Sequence, residues 1–201
     1  MSTAPRFAII GNGCLAAHFR FYFDCLQCHY QQWYRGCARS LTSVVSAATH
    51  ILLLISDDAI VDFVQQHFLN TNQILVHCSG SLTIDGVLAA HPLMTFTSTL
   101  YTAEFYPQIP FMLCGHDYEL SDCLPGLPNP SYHVPTDHWS YYHSLCVMAN
   151  NFTTILWNKL FTESTQRWQV PAQAITPFLQ QSAINIEVLQ DKALTGPLVR
   201  Q

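Results

Sequence analysis

One short stretch near the beginning of the chain determines its architecture: Phe7-Ala8-Ile9-Ile10-Gly11-Asn12-Gly13-Cys14-Leu15-Ala16. Its four apolar residues are typical of a short buried strand, and a helix pattern follows from about Cys14 to Cys25. Between them the sequence fits G-x-G-x-x-G/A. Gly11 permits the tight turn out of the strand, Gly13 lets the backbone approach a pyrophosphate, and Ala16 lets the helix pack closely on the strand. The motif therefore predicts a strand–loop–helix unit that binds a dinucleotide at the helix N-terminus, the alternative being a glycine turn without a ligand.

Strands and helices alternate in the residues that follow. The pattern predicts strands at His29 to Tyr34, His50 to Ile55 and Ile74 to His77, with a helix after the second of these that Ser56 or Asp57 caps. The apolar run at His50 to Ile55 is typical of a central parallel strand that is buried on both faces. This order predicts an α/β fold, a Rossmann doubly wound parallel sheet with right-handed crossovers.

The pattern changes near residue 115. A cluster of prolines follows, with glycine and asparagine among them, and it is typical of a linker: Pro125, Pro128, Pro130 and Pro135. Beyond it, Thr136 or Asp137 can cap a long helix to about Phe161, and Pro171 opens another to about Asp191, in which Pro177 can force a kink. We predict a nucleotide-binding Rossmann domain at 1–120, a proline-rich linker at 121–135 and a small all-helical domain at 136–201.

The end of the second predicted strand indicates which dinucleotide binds. NAD enzymes usually carry Asp or Glu there, about 20 residues after the glycine motif. No acidic residue occurs between Asp24 and Asp57, and the strand ends on Arg35, whose planar fork can pair with a 2′-phosphate. The sequence therefore favours NADP over NAD, although a solvated Arg35 is the alternative. The predicted cofactor-binding residues are Gly11, Asn12, Gly13, Cys14, Ala16, Arg35, Ser56 and Ser79.

Composition excludes several classes of function. The chain has 8 Lys and Arg against 13 Asp and Glu, with no basic run, so nucleic acid is not an expected partner. The most apolar run, Ile51 to Ile55, is far below the ~18 residues of a membrane span, and no secretory signal is visible. We expect a cytoplasmic protein. Only 10% of the residues are charged, which favours a surface partly buried in an oligomer.

One segment imitates a metal-binding motif. Cys25-Leu26-Gln27-Cys28-His29 matches C-x-x-C-H, the pattern that attaches haem c. Covalent haem attachment accompanies export, and no second cysteine pair lies at zinc-finger spacing. We therefore predict no metal and interpret the two cysteines as packed core thiols.

Four motifs further along the chain resemble one family. They are His77-Cys78-Ser79-Gly80-Ser81-Leu82, His91-Pro92-Leu93-Met94-Thr95-Phe96, Tyr142-His143 with Asn150-Asn151, and Ala193-Leu194-Thr195-Gly196-Pro197-Leu198-Val199-Arg200. Together they resemble the motifs of Rossmann-like proteins that carry domain of unknown function 2520. Those proteins are similar to 6-phosphogluconate dehydrogenase, ketopantoate reductase and pyrroline-5-carboxylate reductase. The resemblance implies NADP-dependent reduction or oxidation, with a helical C-terminal domain that often dimerises, so we expect a homodimer.

The chain departs from the family at two points. It ends at Gln201, where the family motif continues with Gly-Asp, so the helical domain is expected to be short. Asn150 replaces the serine of the family's Ser-Asn pair.

Hydride transfer needs an acid–base group in the protein. This group gives a proton to, or takes one from, the oxygen or nitrogen that is bonded to the reacting carbon. His91 is held extended by the proline after it, and His143 lies on the long helix with Asn150 on the same side and Asn151 about 80° away. We predict His143 and His91 as acid–base residues and Asn151 as a hydrogen-bond donor to the substrate, each of them with a structural role as the alternative. Lys159 is a further candidate proton donor.

The loop Ser79-Gly80-Ser81 follows the fourth strand, where doubly wound folds bind ligands. Its hydroxyls and N–H groups could hold a carboxylate or the nicotinamide amide, the alternative being an ordinary turn. The sequence predicts an NADP-dependent oxidoreductase that acts on a small carbonyl or imine substrate. The alternative is a non-catalytic NADP-binding sensor or degenerate paralogue.

Overall fold

The structure is a computed structural model that describes residues 6–69 and 71–196. Its strands are β1 (Arg6–Ile10), β2 (His29–Trp33), β3 (His50–Leu53), β4 (Ile74–His77), β5 (Val87–Pro92), β6 (Phe111–Cys114) and β7 (Ser131–Val134). Its α-helices are α1 (Cys14–Cys25), α2 (Leu41–Val45), α3 (Asp57–His67), α4 (Leu120–Cys123), α5 (Trp139–Val147), α6 (Thr153–Arg167) and α7 (Ala172–Leu189).

The strands form one sheet in the order β2-β1-β3-β4-β5-β6-β7. Strands β1 to β5 are parallel, β6 pairs antiparallel with β5, and β7 is parallel with β6. Because β2 lies on one side of β1 and β3 on the other, the strand order reverses at β1, and such a point leaves a crevice at the carboxyl ends. The predicted Rossmann fold is confirmed, and two strands that run against the other five are added to it.

Apolar layers cover both faces of the sheet. On one face Phe23 of α1 packs against Phe7 of β1, with ring centroids 4.6 Å apart. On the other face Ile60 of α3 belongs to the same buried cluster as Ile51 of β3. Each such burial contributes about 1.5–3 kcal/mol, so helices on both faces hold the strand ends in place.

Residues 121–135, which the sequence predicted to be a linker, instead contribute to the sheet. They contain most of α4 and the whole of β7, the strand at the edge of the sheet. Pro130 directly precedes β7 and Pro135 directly follows it, so the prolines bound the strand and remove none of its N–H groups. The chain divides later than predicted, into the compact units Met1–Ser144 and Leu145–Gln201.

The long helix predicted from Thr136 to about Phe161 is present as an unbroken run of helical residues, but it changes helical type along its length and ends at Arg167. A 3₁₀ turn at Thr136–His138 precedes α5, and a π-helical segment at Met148–Phe152 separates α5 from α6. Pro177 lies inside α7. Residues 197–200 of the fourth family motif lie outside the described residues. In the part of the chain that is described, no helix is both long and apolar enough for a membrane span.

A tyrosine hydroxyl ends the pairing of β5 with β6. Tyr118 Oη accepts hydrogen bonds from the N–H groups of Ala89 (3.0 Å) and Cys114 (3.2 Å) and donates one to the Ala89 carbonyl (2.9 Å). The hydroxyl thus uses its one proton and both acceptor positions. Burial raises the pKa of Tyr118 to about 12, so the hydroxyl keeps this proton at neutral pH.

Candidate functional site

The glycine loop has the geometry that its sequence predicts. Gly11 has φ +132°, and a Cβ there would collide with the Leu54 carbonyl, so only glycine fits. Gly13 is the N-cap of α1, and no described side chain caps that helix. Apart from Gly13 and its chain neighbours, no described atom lies within 4 Å of the position of its missing Cβ. Ala16 is fully buried between α1 and the sheet. The first turn of α1 therefore presents its N–H groups to open space.

A neighbouring strand holds this loop. Gln32 of β2 donates from Nε2 to the Gly11 carbonyl (2.7 Å) and to Asn12 Oδ1 (3.2 Å). The Gly11 N–H in turn donates to the Trp33 carbonyl (2.8 Å). The sequence analysis did not identify Gln32. A polar side chain inside a strand beside the glycine motif was the signal that could have found it.

A groove of about 1080 Å³ runs from the glycine loop along the carboxyl ends of β2 and β3. Four chain segments line it: Asn12 to Leu15, Trp33 to Arg35, Leu54 to Ser56, and the α3 residues Asp58, Ala59, Asp62, Phe63 and Gln66. Of the predicted cofactor-binding residues, Asn12, Gly13, Cys14, Arg35 and Ser56 line the groove, whereas Gly11 and Ala16 shape the loop behind it. Its volume is large enough for a nucleotide cofactor.

Arg35 and Arg39 differ in what their guanidinium groups contact. Arg39 donates to Gln31 Oε1 (3.0 Å) and to the Gln32 carbonyl (3.4 Å). Arg35 is exposed at the groove and makes no hydrogen bond or ion pair with any residue that the structure describes. Arg35 is therefore available to an anion in the groove.

The loop after β4 is tied to the start of α3. Ser79 Oγ donates to Asp57 Oδ2 at 2.6 Å and accepts from the N–H groups of Ser81 and Leu82 at 3.3 Å. Ser81 Oγ donates to the same carboxylate oxygen at 3.4 Å. Ser79 is buried and does not line the groove. The Ser79 hydroxyl directs its proton to Asp57, and its role in cofactor binding stays a prediction.

Residues from three of the family motifs lie together in the first compact unit, around His91. His91 Nδ1 lies 2.8 Å from Tyr142 Oη, and the rings of His91 and His143 are perpendicular, with centroids 5.5 Å apart. The His143 ring rests on Gly80, where a Cβ would come within 2.9 Å of His143 Cγ. The structure thus brings the predicted His91 and His143 together. It adds Tyr142, which the sequence analysis quoted within a motif but did not identify as a site residue.

Burial keeps two histidines of this region neutral. It lowers the pKa of His91 to about 4, aided by the nearby His143 and opposed by Asp57. Burial likewise lowers the pKa of His77 to about 4, again opposed by Asp57. His77 is fully buried, and neither of its ring nitrogens has a hydrogen-bond partner among the described residues. At neutral pH, His91 therefore has one N–H donor and one nitrogen acceptor, and no net charge.

The candidate residues predicted in the helical part, Asn150, Asn151 and Lys159, are exposed to solvent. Asn150 and Asn151 lie in the π-helical segment, exposed, with Asn150 Nδ2 donating to Asn151 Oδ1 at 2.8 Å. The 3.6-residue spacing used to orient them does not apply there, because a π-helix turns less per residue. Lys159 Nζ contacts Glu163 Oε1 at 2.7 Å on the surface. The roles of Asn151 and Lys159 stay predictions.

The C-x-x-C-H segment contains two unlike thiols. Cys25 is exposed and Cys28 is half-buried, and burial raises the pKa of Cys28. Within residues 6–69 and 71–196, no three His, Cys, Asp or Glu side chains are grouped so as to hold a metal ion.

Residues 120–201 match the family model for a domain of unknown function, DUF2520. A search of curated proteins gives no match. BF3122 of Bacteroides fragilis, provisionally named an NADP oxidoreductase, is 20% identical with a TM-score of 0.77, over 98% of this chain and 86% of that one. Protein TM1727 of Thermotoga maritima is 25% identical with a TM-score of 0.64, over 96% and 84% of the two chains.

An imine reductase from Myxococcus stipitatus, solved with NADP⁺, is 16% identical with a TM-score of 0.62, over 96% of this chain and 79% of that one. Likeness at these identities is a likeness of fold. The resemblance that the sequence motifs predicted is confirmed: residues 120–201 match the family model for DUF2520, and the chain has a Rossmann-like fold.

Proposed function

We propose that this protein is an NADP-dependent oxidoreductase, and that it transfers hydride to or from a small carbonyl or imine compound. The observation that carries the proposal is the groove that joins the N-terminus of α1 to the guanidinium of Arg35, which has no partner among the described residues. Proteins of similar fold support it. A reductive aminase from Aspergillus terreus, 15% identical with a TM-score of 0.58, was solved with NADPH and ethyl levulinate.

The residues of the groove fit the cofactor. The open space at Gly13 leaves room for a pyrophosphate against the first N–H groups of α1, where the helix dipole favours negative charge. Arg35 would pair with the 2′-phosphate that distinguishes NADP from NAD. Asp58 and Asp62 line the same groove, where their carboxylates can accept hydrogen bonds from ribose hydroxyls.

Parallel strands explain how one edge of the sheet can serve both cofactor and substrate. Because β1 to β5 run in the same direction, the glycine loop, the Ser79–Ser81 loop and His91 all lie toward the carboxyl ends of their strands. When bound, the nicotinamide supplies or accepts the hydride. The histidine cluster, His91 with His143, lies at the same edge, where we propose that it serves the proton transfer to or from the reacting oxygen or nitrogen. We retain Asn151 as a proposed substrate donor.

Nucleotide titration tests the proposal directly. We expect the purified protein to bind NADPH more tightly than NADH, as followed by cofactor fluorescence or calorimetry. Arg35→Ala should weaken NADPH binding about 10- to 100-fold and leave NADH binding almost unchanged, because a charged hydrogen bond contributes about 1.5–3 kcal/mol. Arg39→Ala is the matched control, since Arg39 contacts Gln31 and the backbone. Failure to bind either nucleotide would refute the proposed function.

One observation favours the non-catalytic sensor as a second candidate. The His143 ring covers Gly80, in the loop that was predicted to receive a substrate carboxylate. A sensor would bind NADPH with the same dependence on Arg35, but would not oxidise it with any carbonyl or imine compound.

We also propose that the protein is a homodimer. In the unit Leu145–Gln201, helices α6 and α7 expose half or more of several large apolar side chains: Ile155, Leu156, Phe178, Ile186 and Val188. Apolar surface of this extent is usually covered by a partner. A cytoplasmic location remains a prediction.

A further inference from the structure

The hydroxyl of Tyr142 contacts a ring that is itself rigidly held. Tyr142 Oη lies 2.8 Å from His91 Nδ1, the distance of a good hydrogen bond. The proline after His91 fixes its backbone in β5, and α5 surrounds its ring with Trp139 (centroids 6.4 Å apart), Tyr142 (5.7 Å) and His143 (5.5 Å). A tyrosine hydroxyl is therefore placed with defined geometry at His91, whose ring also faces the His143 ring that covers Gly80.

We propose that Tyr142 is the proton donor of the reaction, and that His91 is a positioning residue that orients the Tyr142 hydroxyl and restores its proton. The inference rests on the proposed oxidoreductase function and assigns a residue that the sequence analysis did not select.

The surroundings of His91 favour this division of roles. His91 is enclosed and faces His143 and Tyr142 from α5 and Asp57 from the start of α3. An imidazolium there would be desolvated and repelled by His143, so His91 is a poor direct acid at neutral pH. A neutral imidazole can still hold a phenol by one nitrogen and exchange a proton at the other.

His143 is less suited to the role. Its Nδ1 is buried against Gly80 and has no hydrogen-bond partner among the described residues. That ring nitrogen therefore lacks the second group that would replace a donated proton. Tyr142 has such a group in His91.

In a reduction, Tyr142 and His91 together deliver one proton from water to the substrate. The substrate carbon accepts the hydride supplied by NADPH, and the C=O or C=N π pair moves onto the oxygen or nitrogen. That atom takes the proton from Tyr142 Oη as the O–H bond breaks. The phenolate oxygen then takes the proton from His91 Nδ1, while His91 Nε2 gains one from water, so the imidazole stays neutral. Oxidation of the product runs the same transfers in reverse.

Tyr142→Phe tests the proposal, and Tyr141→Phe is the matched control. Tyr141 is the adjacent tyrosine on α5 and its side chain is largely exposed. With 1-pyrroline and cyclohexanone as probe substrates, we expect Tyr142→Phe to lower kcat about 100-fold or more, within the range of general acid catalysis. The affinity for NADPH should not change in either variant.

His91 variants separate positioning from packing. His91→Gln keeps an amide that can hydrogen-bond the Tyr142 hydroxyl, so it should retain more activity than His91→Phe, which fills the space without a polar atom. The imidazole ¹⁵N spectrum provides a readout without turnover, because Tyr142→Phe should shift the His91 Nδ1 signal. An unchanged signal would show that the pair does not exist in solution and would overturn the proposal.

The outcomes are distinguishable. Wild-type protein that binds NADPH but oxidises it with neither probe would overturn the oxidoreductase function and this inference together. Active wild type with equal kcat in Tyr142→Phe would overturn the role of Tyr142 alone. If Tyr142→Phe unfolds, equal activity of His91→Gln and His91→Phe would overturn it instead.

Discussion

Glycine serves opposite purposes at two positions of this site. At Gly80 a Cβ would meet the His143 ring, whereas at Gly13 it would meet open space. We expect Gly80→Ala to lower the free energy of unfolding by about 1–3 kcal/mol, as overpacking does, because the ring or the loop must shift. Gly13→Ala should leave the unfolding midpoint almost unchanged, yet impair NADPH binding because its methyl group enters the phosphate position. Urea unfolding and NADPH titration of both variants check this, and a reversed pattern would contradict it.

Two buried histidines make the stability depend on pH. His77 and His91 have pKa values near 4 in the folded chain, against an ordinary value of about 6.5 when unfolded. Protons therefore bind preferentially to the unfolded chain below about pH 6.5. The free energy of unfolding should be highest above pH 6.5 and should fall as the pH drops toward 4. Below pH 4, the stabilising contribution of the two neutral histidines should be fully lost. Asp57 faces both rings, with His143 and Tyr142 also at His91, and it moderates the effect.

Thermal unfolding from pH 7 to pH 4 measures this dependence. Removing the imidazole in His77→Leu should make the decline shallower. His138→Asn, at a largely exposed histidine, should not change it. Equal slopes in all three proteins would show that His77 is not kept neutral by burial.

Among individual site residues, the sequence predicted those that belong to a motif of neighbouring residues in the chain. Gly11, Ala16 and the placement of Arg35 follow from a run of adjacent residues, so a single strand–helix signature was sufficient. Gln32, Asp57 and Tyr142 were missed because their partners lie on other elements. Only the register of β2 beside β1, or the approach of α5 to β5, makes those contacts visible.

Strand β2 stabilises the glycine loop as well as extending the sheet. We expect Gln32→Leu to weaken NADPH binding up to about 10-fold, because the two hydrogen bonds that it removes contribute about 0.5–1.5 kcal/mol each. Gln31→Leu removes only the surface contact to Arg39 and is the matched control. Nucleotide titration decides, and equal affinities in the two variants would argue that the loop holds its shape without Gln32.

Among elements, β1, β4 and α1 were predicted almost to the residue, while β5, β6 and β7 were not predicted at all. The missed strands are short, and prolines lie at the ends of β5 and β7, so composition there is typical of a loop. Long-range pairing decides their state, since β7 exists as an edge strand only because β6 offers hydrogen bonds to it. The π-helical segment was likewise missed because apolar spacing alone does not reveal a change in helical type.

The chain has few charged residues, and its helices α6 and α7 expose apolar side chains. Both features favour self-association. We expect sedimentation velocity to show a dimer at micromolar concentration. Leu156→Glu in α6 should shift it toward monomer, because the interface would then have to bury an unpaired charge. Leu69→Glu is the matched control, since Leu69 in the other unit is 72% exposed and Leu156 is 71% exposed. A monomeric wild type would contradict the proposed homodimer.

The tyrosine that ends the β5–β6 pairing has a consequence for solvent exchange. Tyr118 Oη accepts from the amides of Ala89 and Cys114, where the backbone ladder stops. These two amides should therefore exchange with deuterium as slowly as amides within the ladder, although they are held by a side chain. In Tyr118→Phe these two amides should exchange faster, while the amides in the rest of the sheet keep their protection.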